Sequence, residues 1–160
     1  MKLLRVGQEG KEKPAVLGKD GKIRDLSEHV IDFNPSTLNF ETLEKIKKID
    51  LESLQEIAST ERLGSCIAKP GKFLAVGLNY SDHAAETNAE IPKEPIIFNK
   101  AANCIVGPND NIILPKLSKK LDWEIEIAFV VGKDTKYVSE KDATNHILGY
   151  CIVNDLSERE

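Results

Sequence analysis

The sequence predicts an α+β fold in two parts. Strand-like runs follow one another with helices scattered among them, instead of the regular alternation of a parallel sheet. The texture then changes at "GSCIAKPGKF", Gly64 to Phe73, where Gly, Ser, Pro and Gly within a short stretch mark a linker or turn. Beyond it the elements lengthen. The expected division is a small N-terminal α/β domain over residues 1–66 and a second unit over residues 67–160.

In the first part, Leu3 to Val6 and Ala15 to Leu17 are short strands. "GKDGK", Gly18 to Lys22, is a Gly/Asp-rich reversal leading into "IRDL", a hairpin signal. Two short helices are expected next. Phe40, Leu43 and Ile46 fall on one face at helical spacing, and Leu51, Leu54 and Ile57 recur every three residues. Lys45, Lys47 and Lys48 lie among Glu41, Glu44 and Asp50, which describes a solvated helix face. His29, among polar neighbours, is a surface histidine.

In the second part the spacing predicts a strand over Phe73 to Val76, a helix from Tyr80 and a strand over Pro95 to Asn99. "GPND", Gly107 to Asp110, turns the chain into a strand over Asn111 to Leu114. A longer strand spans Trp123 to Val131, a short helix Ala143 to Ile147 and a strand Gly149 to Asn154. "DLSERE" then opens a helix that has barely one turn before Glu160. That unfinished helix suggests the N-terminal part of a longer protein.

Apolar residues at 41% and charged residues at 30% are ordinary for a globular protein. A formal charge of −4 leaves no basic footprint for nucleic acid. The opening residues carry no apolar stretch of signal-peptide type, and the longest wholly apolar run falls far short of the ~20 residues that span a bilayer. Cys66, Cys104 and Cys151 match no zinc spacing and suggest free thiols in a reducing cytoplasm. Cys151 reads as a small hydrophobe within its strand.

The stretch "LDWEIEIAFVVGK", Leu121 to Lys133, runs into a core through Ile127 to Val131, yet Glu124 and Glu126 precede that run with Asp122 in the same phase. Residues two apart on a strand share a face with Cα atoms ~6.6 Å apart, so the two carboxylates repel, more so if part-buried. Three arrangements relieve this: a divalent cation with oxygen ligands, arginine or lysine partners, or a strand end open to water. Asp155 at the carboxyl end of the following strand supplies a third carboxylate. It also forms a helix-capping pair with Glu158, a role compatible with ligation. In "AVGLNYSDHAAE", Ala75 to Glu86, His83 and Glu86 share a helical face three residues apart, which suits a carboxylate-oriented imidazole base and equally an ordinary surface pair.

Taken together, "GLNYSDHAAE", "PIIFNK", "IVGPNDNIILP", "DWEIEIAFVVGK" and "GYCIVNDLSER" resemble the ordered motifs of the fumarylacetoacetate hydrolase family over Lys69 to Glu160. The first 27 residues are similar to the small N-terminal domain of a subgroup labelled 2,4-diketo-3-deoxy sugar-acid hydrolase or ureidoglycolate lyase. The resemblance implies a partly open barrel or roll of mixed sheet with flanking helices, usually dimeric, of which this chain carries the first part. It implies Glu124, Glu126 and Asp155 as ligands of Mg²⁺ or Mn²⁺, with Ca²⁺ as a crystal substitute. His83 and Glu86 become a water-activating dyad and Arg159 a holder of the substrate carboxylate. The lysine that family members carry shortly after that arginine is absent here. The implied activity is metal-dependent hydrolysis of a carbon–carbon bond in a 2,4-diketo acid, giving pyruvate and a small acid. Decarboxylation or keto–enol isomerisation of a 2-oxo acid is the alternative, and a catalytically incomplete metal-binding or dimerisation fragment the third reading.

Overall fold

The computed structural model describes residues 1–160. The first sheet has the order β1-β2-β3-β4, formed by Lys2–Val6, Lys13–Leu17, Ile23–Asp25 and Glu56–Ile57, each pair antiparallel. The β2–β3 reversal works as its composition suggests. Gly18 N–H donates to Lys22 O at 2.8 Å, Asp20 Oδ1 accepts from Lys22 N–H at 3.1 Å, and Gly21 sits at φ +80, where a side chain is disfavoured.

Helix α1, Phe40–Lys47, begins at Asn39, whose side chain accepts from Thr42 N–H at 2.9 Å, and it turns Ile46 inward. Ile46 meets Val16, Leu26, Val30 and Phe33 in one cluster, while Val6, Ala15 and Ile23 form a second on the same sheet. The helix expected over Leu51 to Ile57 is replaced by a single 3₁₀ turn, Leu51–Ser53, capped by Asp50. After it the chain extends, because Glu56 and Ile57 pair with Arg24 and Ile23, and Asp25 N–H donates to Gln55 O at 2.9 Å. Leu51 and Leu54 still pack on the core, so the period-three pattern marked burial rather than helix.

The second part consists of two-stranded antiparallel sheets: β5 (Phe73–Gly77) with β6 (Ile96–Lys100), β7 (Leu121–Asp122) with β10 (Ser157–Glu158), and β8 (Ile125–Val131) with β9 (Ile147–Asn154). Every strand pairing within the chain is antiparallel, and the sheets do not close into a barrel. Helices α2 (Ser81–Glu86) and α3 (Glu140–Ala143) are short, and α3 runs on into a 3₁₀ turn, Thr144–His146.

Three expectations are corrected in this part. Asn111 to Leu114 is not a strand; Ile112, Ile113 and Leu114 are exposed and their backbone has no partner ladder, without which an extended segment gains little. "DLSERE" does not open a helix. Ser157 and Glu158 pair with Asp122 and Leu121, Arg159 N–H donates to Lys120 O at 3.1 Å, and the Asp155 carboxylate faces Lys100 instead of capping a helix turn. Finally, the run Ile127 to Val131 does not enter a core: Ile125, Ile127, Phe129 and Val131 are exposed, as are Tyr150 and Ile152 beside them on β9, because nothing packs on that side of the ribbon.

An ion-pair network joins the parts. Arg5 donates to both Asp32 oxygens at 2.7 and 3.1 Å and to Glu12 at 3.2 Å; Arg62 donates to Glu12 at 2.8 Å and to both Asp110 oxygens at 2.7 and 2.6 Å. Asp110 also accepts from Gly107 N–H at 2.6 Å, which locks the "GPND" turn. No helix is long and apolar enough to cross a membrane.

Candidate metal and active site

The ladder between β8 and β9 decides which side chains can meet. Glu126 stands opposite Val153 and Ile125 opposite Asn154. One step further brings Glu124 beside Asp155, and Asp155 N–H donates to Glu124 O at 2.8 Å. Directly opposite residues share a face, so Glu124, Glu126 and Asp155 occupy one face of the ribbon with Ala128, Cys151 and Val153. That face is the covered one. Along β8 the exposure alternates, with Glu126, Ala128 and Val130 part-buried between exposed neighbours, and Asp155 is buried at 8%.

Two of these carboxylates have cationic partners. Lys100, at the end of β6, ion-pairs with Asp155. Arg159 pairs with Glu124 and also reaches Asp122 Oδ2 at 3.2 Å. The Glu124 hydrogen bond, chiefly, and the neighbouring acids hold the Arg159 guanidinium above its ordinary pKa against some desolvation. Glu126 stands apart from both cations. Burial first, and the charge of Glu124 second, push its carboxyl above the usual range.

No group of three or more His, Cys, Asp and Glu side chains is arranged to hold a metal ion, since Lys100 and Arg159 draw Asp155 and Glu124 to themselves. The donor chemistry nevertheless fits a hard divalent cation: three carboxylates on one strand-pair face, one of them already resisting ionisation. Lys100 escaped the sequence reading, which sought a lysine after Arg159. Its signal was a single charged residue closing the apolar run of "PIIFNK", in phase with Ile96 and Phe98.

His83 lies on α2, which anchors itself through buried Ala84. Leu78, at φ +49, takes the left-handed turn that swings the chain from β5 towards this helix, a conformation rare for a bulky side chain. Tyr80, the N-cap residue, donates its hydroxyl to Ile125 O at 3.2 Å and so ties the helix start to the acid-bearing strand. His83 is part-buried and Glu86 exposed, and no hydrogen bond joins their side chains; the backbone N–H of His83 donates to Asp82 Oδ1 at 2.9 Å.

Residues 72–160 match the family described as fumarylacetoacetate hydrolase, C-terminal. The chain belongs to the fumarylacetoacetate hydrolase family. A relative from Burkholderia ambifaria, which carries only a provisional hydrolase name, is 48% identical over all 160 residues; this chain spans 57% of that relative's length. Among solved structures, a fumarylacetoacetate hydrolase from Exiguobacterium antarcticum superposes with a TM-score of 0.77 at 30% identity, covering 99% of this chain and 57% of that one. A 5-carboxymethyl-2-hydroxymuconate delta-isomerase from Mycobacterium smegmatis gives 0.70 at 29% identity, covering 99% and 56%. A maleylpyruvate hydrolase from Sphingobium sp. SYK-6, solved with manganese(II) and pyruvate, shares the fold at 0.78 and 23% identity, covering 99% and 60%. Family members of this fold thus carry both hydrolase and isomerase names.

Proposed function

We propose that this chain supplies the metal-ligand and base residues of an enzyme that hydrolyses a carbon–carbon bond in a 2,4-diketo acid, yielding pyruvate and a small acid. The observation that carries the reading is the single covered face on which Glu124, Glu126 and Asp155 sit with Lys100 and Arg159 poised against them. Residues 1–66 form the small N-terminal domain in this reading and residues 67–160 the first part of the catalytic core. A homodimer is the expected assembly, with the exposed apolar side of β8 and β9 as one surface it could use.

Glu124, Glu126 and Asp155 are the ligands of a divalent cation, Mg²⁺ or Mn²⁺, a choice supported by the manganese and pyruvate in the Sphingobium enzyme's structure. When bound, such a cation polarises the carboxylate and keto oxygens of a 2-oxo acid as a Lewis acid. Arg159 and Lys100, freed from the acids they neutralise here, pair with the substrate's carboxylate and with the oxygen that gains charge as the bond breaks. His83 takes a proton from water, the general-base work to which an imidazole is suited. Glu86 orients the ring in this scheme once the two side chains meet. The hydroxide adds to C4, the C3–C4 bond breaks, the electron pair passes into the pyruvate enolate, and the His83 proton returns to C3.

The test is pyruvate release from an acylpyruvate by the protein spanning the full length of its relatives, with and without Mg²⁺. His83→Ala is expected to lower turnover about 10²–10⁴-fold with metal affinity nearly unchanged. Turnover equal to the parent's removes His83 from the chemistry. One second reading is a keto–enol isomerase in which His83 moves a substrate proton and no water is activated, supported by the isomerase name of the Mycobacterium smegmatis structure at 29% identity. Proton exchange at C3 without pyruvate release distinguishes it.

A further inference from the structure

Lys100 and Asp155 form an ion pair between two separate ribbons. Lys100 closes β6, opposite Phe73, and Asp155 follows the end of β9, beside Glu124. The contact is direct, with Lys100 Nζ donating to Asp155 Oδ1. This pair is more enclosed than its neighbour: the Lys100 and Asp155 side chains are 20% and 9% exposed, against 39% for Arg159 and 27% for Glu124. With Glu124, Glu126 and Asp155 as metal ligands, the Asp155 carboxylate also serves a divalent cation. An ammonium and a dication then contend for one negative charge. The second carboxylate oxygen does not separate them, because an ion bound there lies within ~5 Å of Nζ, where like charges repel strongly in a poorly solvated site.

We propose that Lys100 is a built-in counter-ion that sets the metal affinity of the site: it neutralises Asp155 until a divalent cation displaces it, and so keeps metal binding weak and reversible. The inference rests on the reading of the three acids as ligands. Two effects of Lys100 oppose each other. Holding a ligand carboxylate in place favours metal, and losing such a partner costs about 10–100-fold in affinity. A positive charge beside the ion disfavours metal. Here the charge wins, because Asp155 is oriented without Lys100. Its N–H donates to Glu124 O at 2.8 Å, and Ser157 Oγ donates to its carbonyl at 3.2 Å, so the backbone at the ligand is fixed already. Arg159 acts on Glu124 in the same sense from a more solvated position, where its charge is better screened.

Mn²⁺ is titrated into the 160-residue chain, and the free ion is measured by electron paramagnetic resonance. Lys100→Met keeps the apolar stem and removes the charge; its Mn²⁺ affinity is expected to rise at least about tenfold over the parent's. Lys100→Arg keeps the charge and is expected to stay near the parent. Without added metal, Lys100→Met is expected to melt at least about 5 °C lower, since Asp155 is left buried without its partner, and Mn²⁺ restores the loss. A damaged fold lowers affinity, so a gain cannot come from damage. Where Lys100→Met does not fold, Arg159→Met carries the test, with a rise of about two- to threefold supporting the inference and an unchanged or lower affinity overturning it. Equal affinities in the parent and Lys100→Met, or a fall in the variant, overturn the inference and leave the three ligands standing. No Mn²⁺ bound by either protein overturns it together with the ligand reading.

Discussion

Phe33 and Phe129 are the same side chain in opposite circumstances. Phe33 is wholly buried in the cluster that the first sheet shares with Ile46, while Phe129 is 58% exposed on β8. The contrast extends to the regions around them: of the ten buried apolar residues, eight lie at or before Ile46, and only Ala68 and Ala84 lie beyond it. Yet the in-and-out alternation of β8 is fully regular. Pattern alone therefore does not bury a strand. A second layer must cover it, and α1 with the Leu26–Phe33 segment provides that layer for the first sheet, whereas nothing does so for the Ile125–Ile127–Phe129 side of the β8–β9 ribbon.

The sharpest way to break this comparison is to truncate both rings. Phe33→Ala is expected to cost about 3–5 kcal/mol, the range for a large side chain removed from a packed core. Phe129→Ala should cost less than about 1 kcal/mol, as for most exposed positions. Urea denaturation of the two variants reads the difference. Equal losses would mean that the apolar side of β8 is covered in solution.

A second test concerns the joint between the regions. Glu12 is almost wholly buried between Arg5 and Arg62, and Arg62 also clamps Asp110. Arg62→Ala leaves Glu12 short of one partner and releases the 107–110 turn, so a loss of about 1–3 kcal/mol is expected. Phe129→Ala should add to it independently, since Phe129 takes no part in the network; strong non-additivity in the double variant would show that the two sites are energetically coupled.

The comparison also explains what could be read from the sequence. The hairpin turn, α1, β5, β6, β8 and β9 were legible, because each has a local cause: Gly21 in the turn, Asn39 as cap, alternation along the strands. The errors arose where pairing partners decided the outcome. Glu56–Ile57 became a strand because β3 offered an edge, Ser157–Glu158 because β7 did, and Asn111–Leu114 failed because no strand was beside it. In the candidate site, the common face of Glu124, Glu126 and Asp155 followed from strand phase. The Lys100 contact did not, since it crosses between elements whose packing no local pattern encodes.

Acid should erode the joint before the core. Burial works against ionising Glu12, but its hydrogen bond to Arg62 and the charges of both arginines bring its carboxyl below the ordinary 4.5. Its folded value is depressed, so its stabilising share is present above about pH 4.5 and fades as pH falls through that lower folded value. Asp110 is likewise depressed, mainly by Arg62. Stability measured by urea midpoint from pH 7 to pH 3 should therefore fall more steeply for the parent than for Arg62→Ala. Parallel curves would remove the network from the acid response.

The smallest expected effect bears on the site itself. Glu126 is the one member of the carboxylate trio without a cation against it, and its carboxyl is raised by burial and by Glu124. For a carboxyl raised on folding, the stabilising share is complete below the ordinary 4.5 and is lost as pH rises through the folded value. At pH 7 a charged Glu126 thus works against the metal-free fold, by less than about 1 kcal/mol given its partial exposure. Glu126→Gln keeps the shape and removes the charge, so the metal-free variant should melt slightly higher than the parent, by up to about 3 °C. Added Mg²⁺ or Mn²⁺ reverses the ranking if the three acids bind it. The parent gains about 2.7 kcal/mol at a hundredfold excess over Kd, while the variant, one ligand short, gains little at the same concentration. Melting curves of both proteins with and without metal give all four values. Equal metal gains in the two would show that Glu126 is no ligand, and a metal-free variant less stable than the parent would show that its charge is already neutralised within the fold.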